Sequence, residues 1–287
     1  MDTGAPPASA EAQQNVATIN AATMQLRQPR AFLSAAMTDV RQAPAVGSVL
    51  FRASLRARHR RLWLGYAWLV LPGILFALIF TLIRANRLII MPETLLPYPV
   101  FVLAGIYLWQ SFIDALNMPL QQFTAHRHFL ANNAVAHEAV LFAGLLDQLL
   151  NMAIRLGLLF VVAAIAGLTP MVSWLLLPLG AVLLVLFGFG LGLLVTPLGL
   201  LYDDVGRAIG LIAGFAIFLT PVFYAVPPYS LFWLNPVTPL LDGTRGWLAG
   251  VAIGWPFYLV GIIAAAIALL AWGQYRLARP HLLARAG

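Results

Sequence analysis

From residue 63 to residue 273 the sequence is a succession of apolar segments, each about the twenty residues an α-helix needs to cross a hydrocarbon layer about 30 Å thick. Inside that layer no water pairs with the backbone, so each segment must satisfy its own N–H and C=O groups and folds as a helix. Hydropathy places six spans at 63–83, 98–118, 138–167, 174–200, 207–226 and 254–273. Charged residues make up 9% of the 287-residue chain, against roughly 25% in soluble domains. The expected fold class is an all-α polytopic membrane protein with six transmembrane helices. No room is left for a separate soluble catalytic domain.

The sequence contains no lysine, so the net charge of +7 rests on arginine alone. With the N-terminus inside, ten arginines fall on the inner side and three (Arg84, Arg87 and Arg245) on the outer. This bias sets the orientation, with both termini cytoplasmic. A basic surface interleaved with stacking platforms is absent, which argues against a nucleic-acid partner. With no cysteine there is no disulfide framework, thiolate metal site or cysteine nucleophile, and no metal site is expected. A phosphate-binding GxxxxGK[ST] loop is excluded by the missing lysine.

Residues 1–45 are rich in Ala, Gln, Pro and Thr and read as a disordered cytosolic tail. Residues 46–62 read as an amphipathic interface helix on which Arg52, Arg56, His59 and Arg60 meet anionic headgroups; the alternative is that these arginines only fix orientation. Residues 63–273 form the membrane domain, and 274–287 a cytosolic C-terminal tail.

The second span carries Tyr107, Gln110, Ser111, Asp114, Asn117 and Gln121 on one arc, and the third carries Asp147, Gln148, Asn151 and Arg155. Such stripes face the bundle interior or a wet cavity, so they either line a pathway or hold helices together. An Asp114–Arg155 ion pair is tempting, but counting turns from each span's inner end puts the two at different depths. His126, His128, His137 and Glu138 read as solvated loop residues. Gly188, Gly190 and Gly192 in the fourth span, and Gly206, Gly210 and Gly214 in the fifth, allow close packing, either of these two spans on each other or across a dimer seam. Trp109, Phe112, Phe215, Phe218, Phe223, Tyr224, Phe232 and Trp233 fit interfacial belts, or flat faces on which sugar rings stack; the candidate substrate channel is Tyr107, Trp109, Phe112, Phe215, Phe218 and Tyr224.

Residues 201–250 hold the strongest irregularity. A charged turn at Tyr202, Asp203, Asp204 and Val205 leads into the fifth span, which breaks at Thr220-Pro221. Then follows a stretch of aromatics and prolines too interrupted for one spanning helix. Asn235-Pro236 and Thr238-Pro239 each read as an N-cap followed by proline, so two short re-entrant helices are expected before the last span. Irregular backbone at membrane depth is tolerated only when buried in protein or lining a cavity.

Taken together, the basic entry helix, the six spans, the Tyr-x-Asp-Val turn, the FLTPVFY run at 218–224 and LNPVTPLLDGTRGWLAG at 234–250 resemble the ABC-2-type permeases of polysaccharide export. That family's substrates are O-antigen, capsular polysaccharide or teichoic acid. The resemblance covers residue 46 onward. It implies a transport subunit rather than an enzyme, working as a homodimer with two copies of a cytosolic ABC ATPase. The complex would move a lipid-linked glycan through the bacterial inner membrane. No cofactor is then expected in this chain, ATP and magnesium belonging to the partner. Coupling falls to 119–137, with Gln122, Arg127, His128 and Phe129, and to Tyr202, Asp203 and Asp204. That first segment departs from the family's basic stretch followed by Phe-Pro. Two other classes remain open: an ion-coupled secondary transporter relaying through Asp114, Asp147 and Arg155, and a membrane-embedded glycosyl- or acyltransferase.

Overall fold

The computed structural model describes residues 29–61, 66–86, 93–132, 137–227 and 230–286. The helices, in chain order, are α1 (Pro29–Arg61), α2 (Ala67–Ala85), α3 (Tyr98–Ala125), α4 (Arg127–Asn132), α5 (His137–Ile165), α6 (Leu177–Leu201), α7 (Asp204–Ala216), α8 (Val237–Gly246) and α9 (Trp255–Ala286). Short 3-10 turns at Val172–Leu176, Leu231–Leu234 and Trp247–Ala249 flank α6 and α8. Among the described residues five helices are long and apolar enough to cross a membrane: Ala67–Ala85, Tyr98–Ala125, His137–Ile165, Val172–Leu201 and Trp255–Ala278. The protein is an all-α multi-pass membrane protein.

The core is built around α3, whose residues from Val100 to Trp109 are all buried. It packs on α6, α5 and α2, while α9 covers the far side of α6. Glycines permit the closest crossings. A Cβ on Gly188 or Gly192 would run into the α3 carbonyls of Phe112 and Leu116, and one on Gly190 would press on Ala268 of α9 at 2.9 Å. The fourth-span glycines therefore seat α3 and α9, not α7 as expected, because their spacing puts Gly190 on the opposite side of α6 from the other two. A left-handed Gly167 (φ 81°) ends α5, where Leu168 N–H reaches back to Ala163 O at 3.1 Å.

The fifth expected span is a helix only as far as Ala216. Pro221 has no N–H to continue the ladder and disfavours helix at the residue before it, and Thr220 Oγ1 turns back to Ala216 O at 2.9 Å. Yet the segment still traverses the bundle. Its start lies at the end where α3 finishes, with Leu120 Cδ2 3.6 Å from the position a Gly206 Cβ would take. Its far part lies where α3 begins, with Tyr98 Oη donating to Phe223 O at 3.0 Å. Residues 98–120 of α3 rise about 33 Å. Helical rise from 206 to 216 supplies about 15 Å, and the seven residues after it reach the remainder at up to about 3.3 Å each.

Two boundaries move. The entry helix begins at Pro29 rather than residue 46, because Ala36 and Ala43 are buried along it and Asp39 is paired to α9; residues 1–28, the rest of the expected tail, lie outside the described residues. One helix, α8, replaces the two expected after Asn235. Asn235 Oδ1 accepts from Val237 N–H at 3.0 Å and starts α8, so Thr238-Pro239 falls inside its first turn and starts nothing new.

Candidate functional site

The irregular crossing is held by side chains from elsewhere. After α7 the carbonyls of Phe218, Leu219, Pro221 and Phe223 have no helical partner, and each receives a side-chain donor. Tyr224 Oη donates to Phe218 O at 2.8 Å, and Asn235 Nδ2 donates to Leu219 O at 3.3 Å and to Thr220 Oγ1 at 2.9 Å. Arg245 Nη1 donates to Pro221 O at 3.1 Å, and Tyr98 Oη to Phe223 O. This is how non-helical backbone survives at membrane depth. Arg245, counted from sequence as an outer loop charge, is instead 2% exposed, paired with Asp242 at 2.9 Å and stacked over Phe101 at 3.5 Å. Its sequence signal was only its place in the Asp-Gly-Thr-Arg run, whose i, i+3 spacing pairs the two charges on α8.

The depth argument against an Asp114–Arg155 pair is overturned. Arg155 Nη2 lies 2.7 Å from Asp114 Oδ2. Sequence hydropathy ended the α3 span at Met118, whereas the helix runs to Ala125; α5 begins at His137, one residue before its expected start. From the true helix ends, Asp114 is eleven residues in and Arg155 eighteen. The long arginine stem covers much of that offset of about 10 Å. Arg155 Nη1 also reaches Ser111 Oγ at 3.5 Å.

His137 and Glu138 are likewise not solvated loop groups. Glu138 accepts from Arg276 Nη1, and Asp39 of α1 accepts from Arg276 Nη2 at 2.8 Å. Arg276 thus ties α1, α5 and α9 together at the end of the bundle where α3 finishes, beside a stack of Phe123 on Tyr275 with centroids 4.6 Å apart. Sequence reasoning missed this node because its members are separated by up to 237 positions. His126 and His128 stay toward the surface, His126 Nδ1 lying 2.9 Å from Gln122 O.

The six aromatics singled out from sequence divide. Tyr107, Trp109 and Phe112 are packed within the chain. Tyr107 Oη donates to Val70 O at 3.0 Å, its ring fills the space over Gly73, and Trp109 and Phe112 meet at 5.4 Å. Phe215 and Phe218 are 67% and 61% exposed. Tyr224 is bonded through Oη to Phe218 O and lies edge-on to Phe232 of the 231–234 turn at 5.3 Å.

The residues assigned to coupling from sequence lie at the end of the bundle where α3 finishes. Leu120 packs against both Gly199 of α6 and Gly206 of α7, so the turn at Tyr202, Asp203 and Asp204 is placed beside the end of α3 and Gln122. Arg127 and His128 of α4 are exposed, whereas Phe129 leans on the inner apolar cluster. Asp204 pairs with Arg207 at 2.9 Å, both exposed. On α1, Arg52 and Arg56 are exposed; the side chains of His59 and Arg60 lie outside the described residues. The helix is docked as well as amphipathic, since a Cβ on Gly47 would meet Ala139 O of α5 at 2.6 Å.

No family model matches the chain. Among curated proteins it is similar to an O-antigen export system permease protein RfbA of Klebsiella pneumoniae, 26% identical over 202 residues, or 69% of this chain and 77% of the relative. A second protein of that name from the same organism is 23% identical over the same shares. One from Myxococcus xanthus is 21% identical over 199 residues, 67% of this chain and 75% of the relative. The three matches support the ABC-2-type polysaccharide-export permease family.

Proposed function

We propose that this chain is the membrane subunit of an ABC exporter that moves a lipid-linked polysaccharide of O-antigen type outward across the bacterial inner membrane. Two copies would assemble with two copies of a separate cytosolic ATPase. The observation that carries the reading is the unpartnered crossing at α7. No residue of α7 is buried, a Cβ on Gly210 or Gly214 would meet nothing within 4 Å, and Leu211, Ile212, Phe215 and Phe218 are all more than 60% exposed. A segment whose backbone is so carefully satisfied, yet whose side chains touch so little of their own chain, fits one wall of a path completed by a second subunit. Phe215 and Phe218 supply flat apolar faces there, on which sugar rings slide without being trapped. The exposed cluster of α4 and the 202–207 turn is a compact docking surface for the ATPase, with Phe129 as apolar anchor and Arg127 as charge. Three relatives named as O-antigen export permeases supply the substrate class.

The test is surface glycan in cells whose cognate ATPase cannot hydrolyse ATP. Export should vanish while this chain still inserts. Undiminished surface glycan would sink the reading.

A further inference from the structure

A cavity of about 500 Å³ opens at the outer end, between the approach to α3, the turn after α8 and the start of α9. Its volume lies in the lower part of the range for small-molecule sites. Glu93, Phe101, Trp233, Asp242, Arg245 and Trp255 contribute to its wall.

The charges there are asymmetric. Arg245 is spent: it is 2% exposed and held by Asp242, Pro221 O and the Phe101 ring. Asp242 gives one oxygen to Arg245; the other has no partner among the described residues, and the side chain is 41% exposed. Glu93 is exposed. Among the described residues the wall therefore offers carboxylate acceptors and one enclosed cation, Arg245; Arg84, not itself part of the wall, is engaged with Thr94 Oγ1 at 3.3 Å and with the Tyr98 ring. Its aromatic surface comes from Trp233, whose Nε1 is anchored to Pro227 O at 3.2 Å, and from Trp255, which is 74% exposed.

Acceptor-only carboxylates take O–H donors in charge-assisted hydrogen bonds, and flat indole faces take the apolar face of a ring. A phosphate or a uronic acid would meet uncompensated negative charge. We infer that this cavity binds one neutral, hydroxyl-rich sugar unit of the exported glycan as it leaves the membrane. It would be a site that favours neutral over acidic polymers. The inference rests on the exporter reading, since only then does a glycan pass this end of the chain.

The full-length protein in lipid nanodiscs, titrated with neutral hexose oligosaccharides (gluco-, manno- and galacto-hexamers) and with an oligogalacturonate of equal length, provides the test by saturation-transfer NMR. At least one neutral series should bind and the acidic one should not. Glu93→Gln and Trp255→Leu, both at exposed positions, should each weaken that binding about tenfold, as expected for a lost hydrogen bond to a charged group or a lost ring face. Asp242→Asn is a third variant, read only where the folded fraction is unchanged. Equal binding of oligogalacturonate, or neutral binding untouched by Glu93→Gln and Trp255→Leu, overturns the inference. Surface glycan in a strain deleted for this chain separates the two readings. Glycan that persists sinks the exporter reading, whereas glycan that disappears while no neutral oligosaccharide binds sinks the cavity alone.

Discussion

Arg155 of α5 and Asp114 of α3 meet at 2.7 Å, with the guanidinium almost wholly enclosed and the carboxylate 37% exposed. A charge so buried has been taken out of water and depends on its partner, so the pair is a strong local constraint. Asp114→Ala should therefore cost about 3–5 kcal/mol by stranding Arg155. The double replacement Asp114→Leu with Arg155→Met should recover most of that. Thermal unfolding of the purified protein, followed by loss of the monodisperse peak, reads the difference. Equal loss in single and double variants would mean that the pair's geometry matters beyond its charge.

The glycines make a two-sided prediction. Gly192→Ala forces a Cβ into the Leu116 carbonyl of α3 and should destabilise by about 1–3 kcal/mol as overpacking does. Gly210→Ala and Gly214→Ala meet nothing in their own chain, and a helix gains up to about 1 kcal/mol from such a change. If the α7 variants keep their stability but lose export, the open face is used by something outside this chain.

At the end of the bundle where α3 finishes, Arg276→Gln should loosen α1 from α5 and α9, because both Asp39 and Glu138 lose their donor. Since the chain contains no cysteine, a pair introduced on α1 and α5 reports the contact cleanly by crosslinking yield. Asp39→Asn should do less than Glu138→Gln, as Asp39 is 28% exposed and Glu138 only 8%. The reverse order would mean that α1 is held chiefly by Asp39.

Among the aromatics, Phe215→Leu with Phe218→Leu should lower export while leaving assembly intact, since both rings lie outside the core. Tyr107→Phe should instead cost about 1 kcal/mol of stability through the lost bond to Val70 O, with transport altered only as far as folding is. Parallel measurement of surface glycan and melting temperature separates the two groups.

Much of the architecture was legible because one rule, the satisfied backbone in lipid, acts on every span alike. The second, third, fourth and sixth spans begin or end within a few residues of their expected positions. What hydropathy could not place was where a helix ends beyond its apolar run: α3 continues past Met118 to Ala125, and that misplaced Asp114 relative to Arg155. The break at Thr220-Pro221 was readable from proline chemistry. Its donors were not, because Tyr98 and Arg245 are brought to it by tertiary contacts over 125 and 24 positions. Burial on a given face was also beyond the sequence. Tyr107 and Phe215 are both aromatic residues near a span end, and only the neighbours of α3 and α7 decide which is covered.

The order of synthesis gives the locked crossing a further meaning. Residues 204–223 emerge from the ribosome before Asn235 and Arg245, so for that interval the carbonyls of Leu219 and Pro221 have no donor from α8 or the turn before it. The stretch must wait in a wet or protein-lined environment until about two dozen more residues have followed it. A nascent chain halted before Asn235 should accordingly remain beside the insertion machinery, and the same chain extended past Arg245 should be released into lipid.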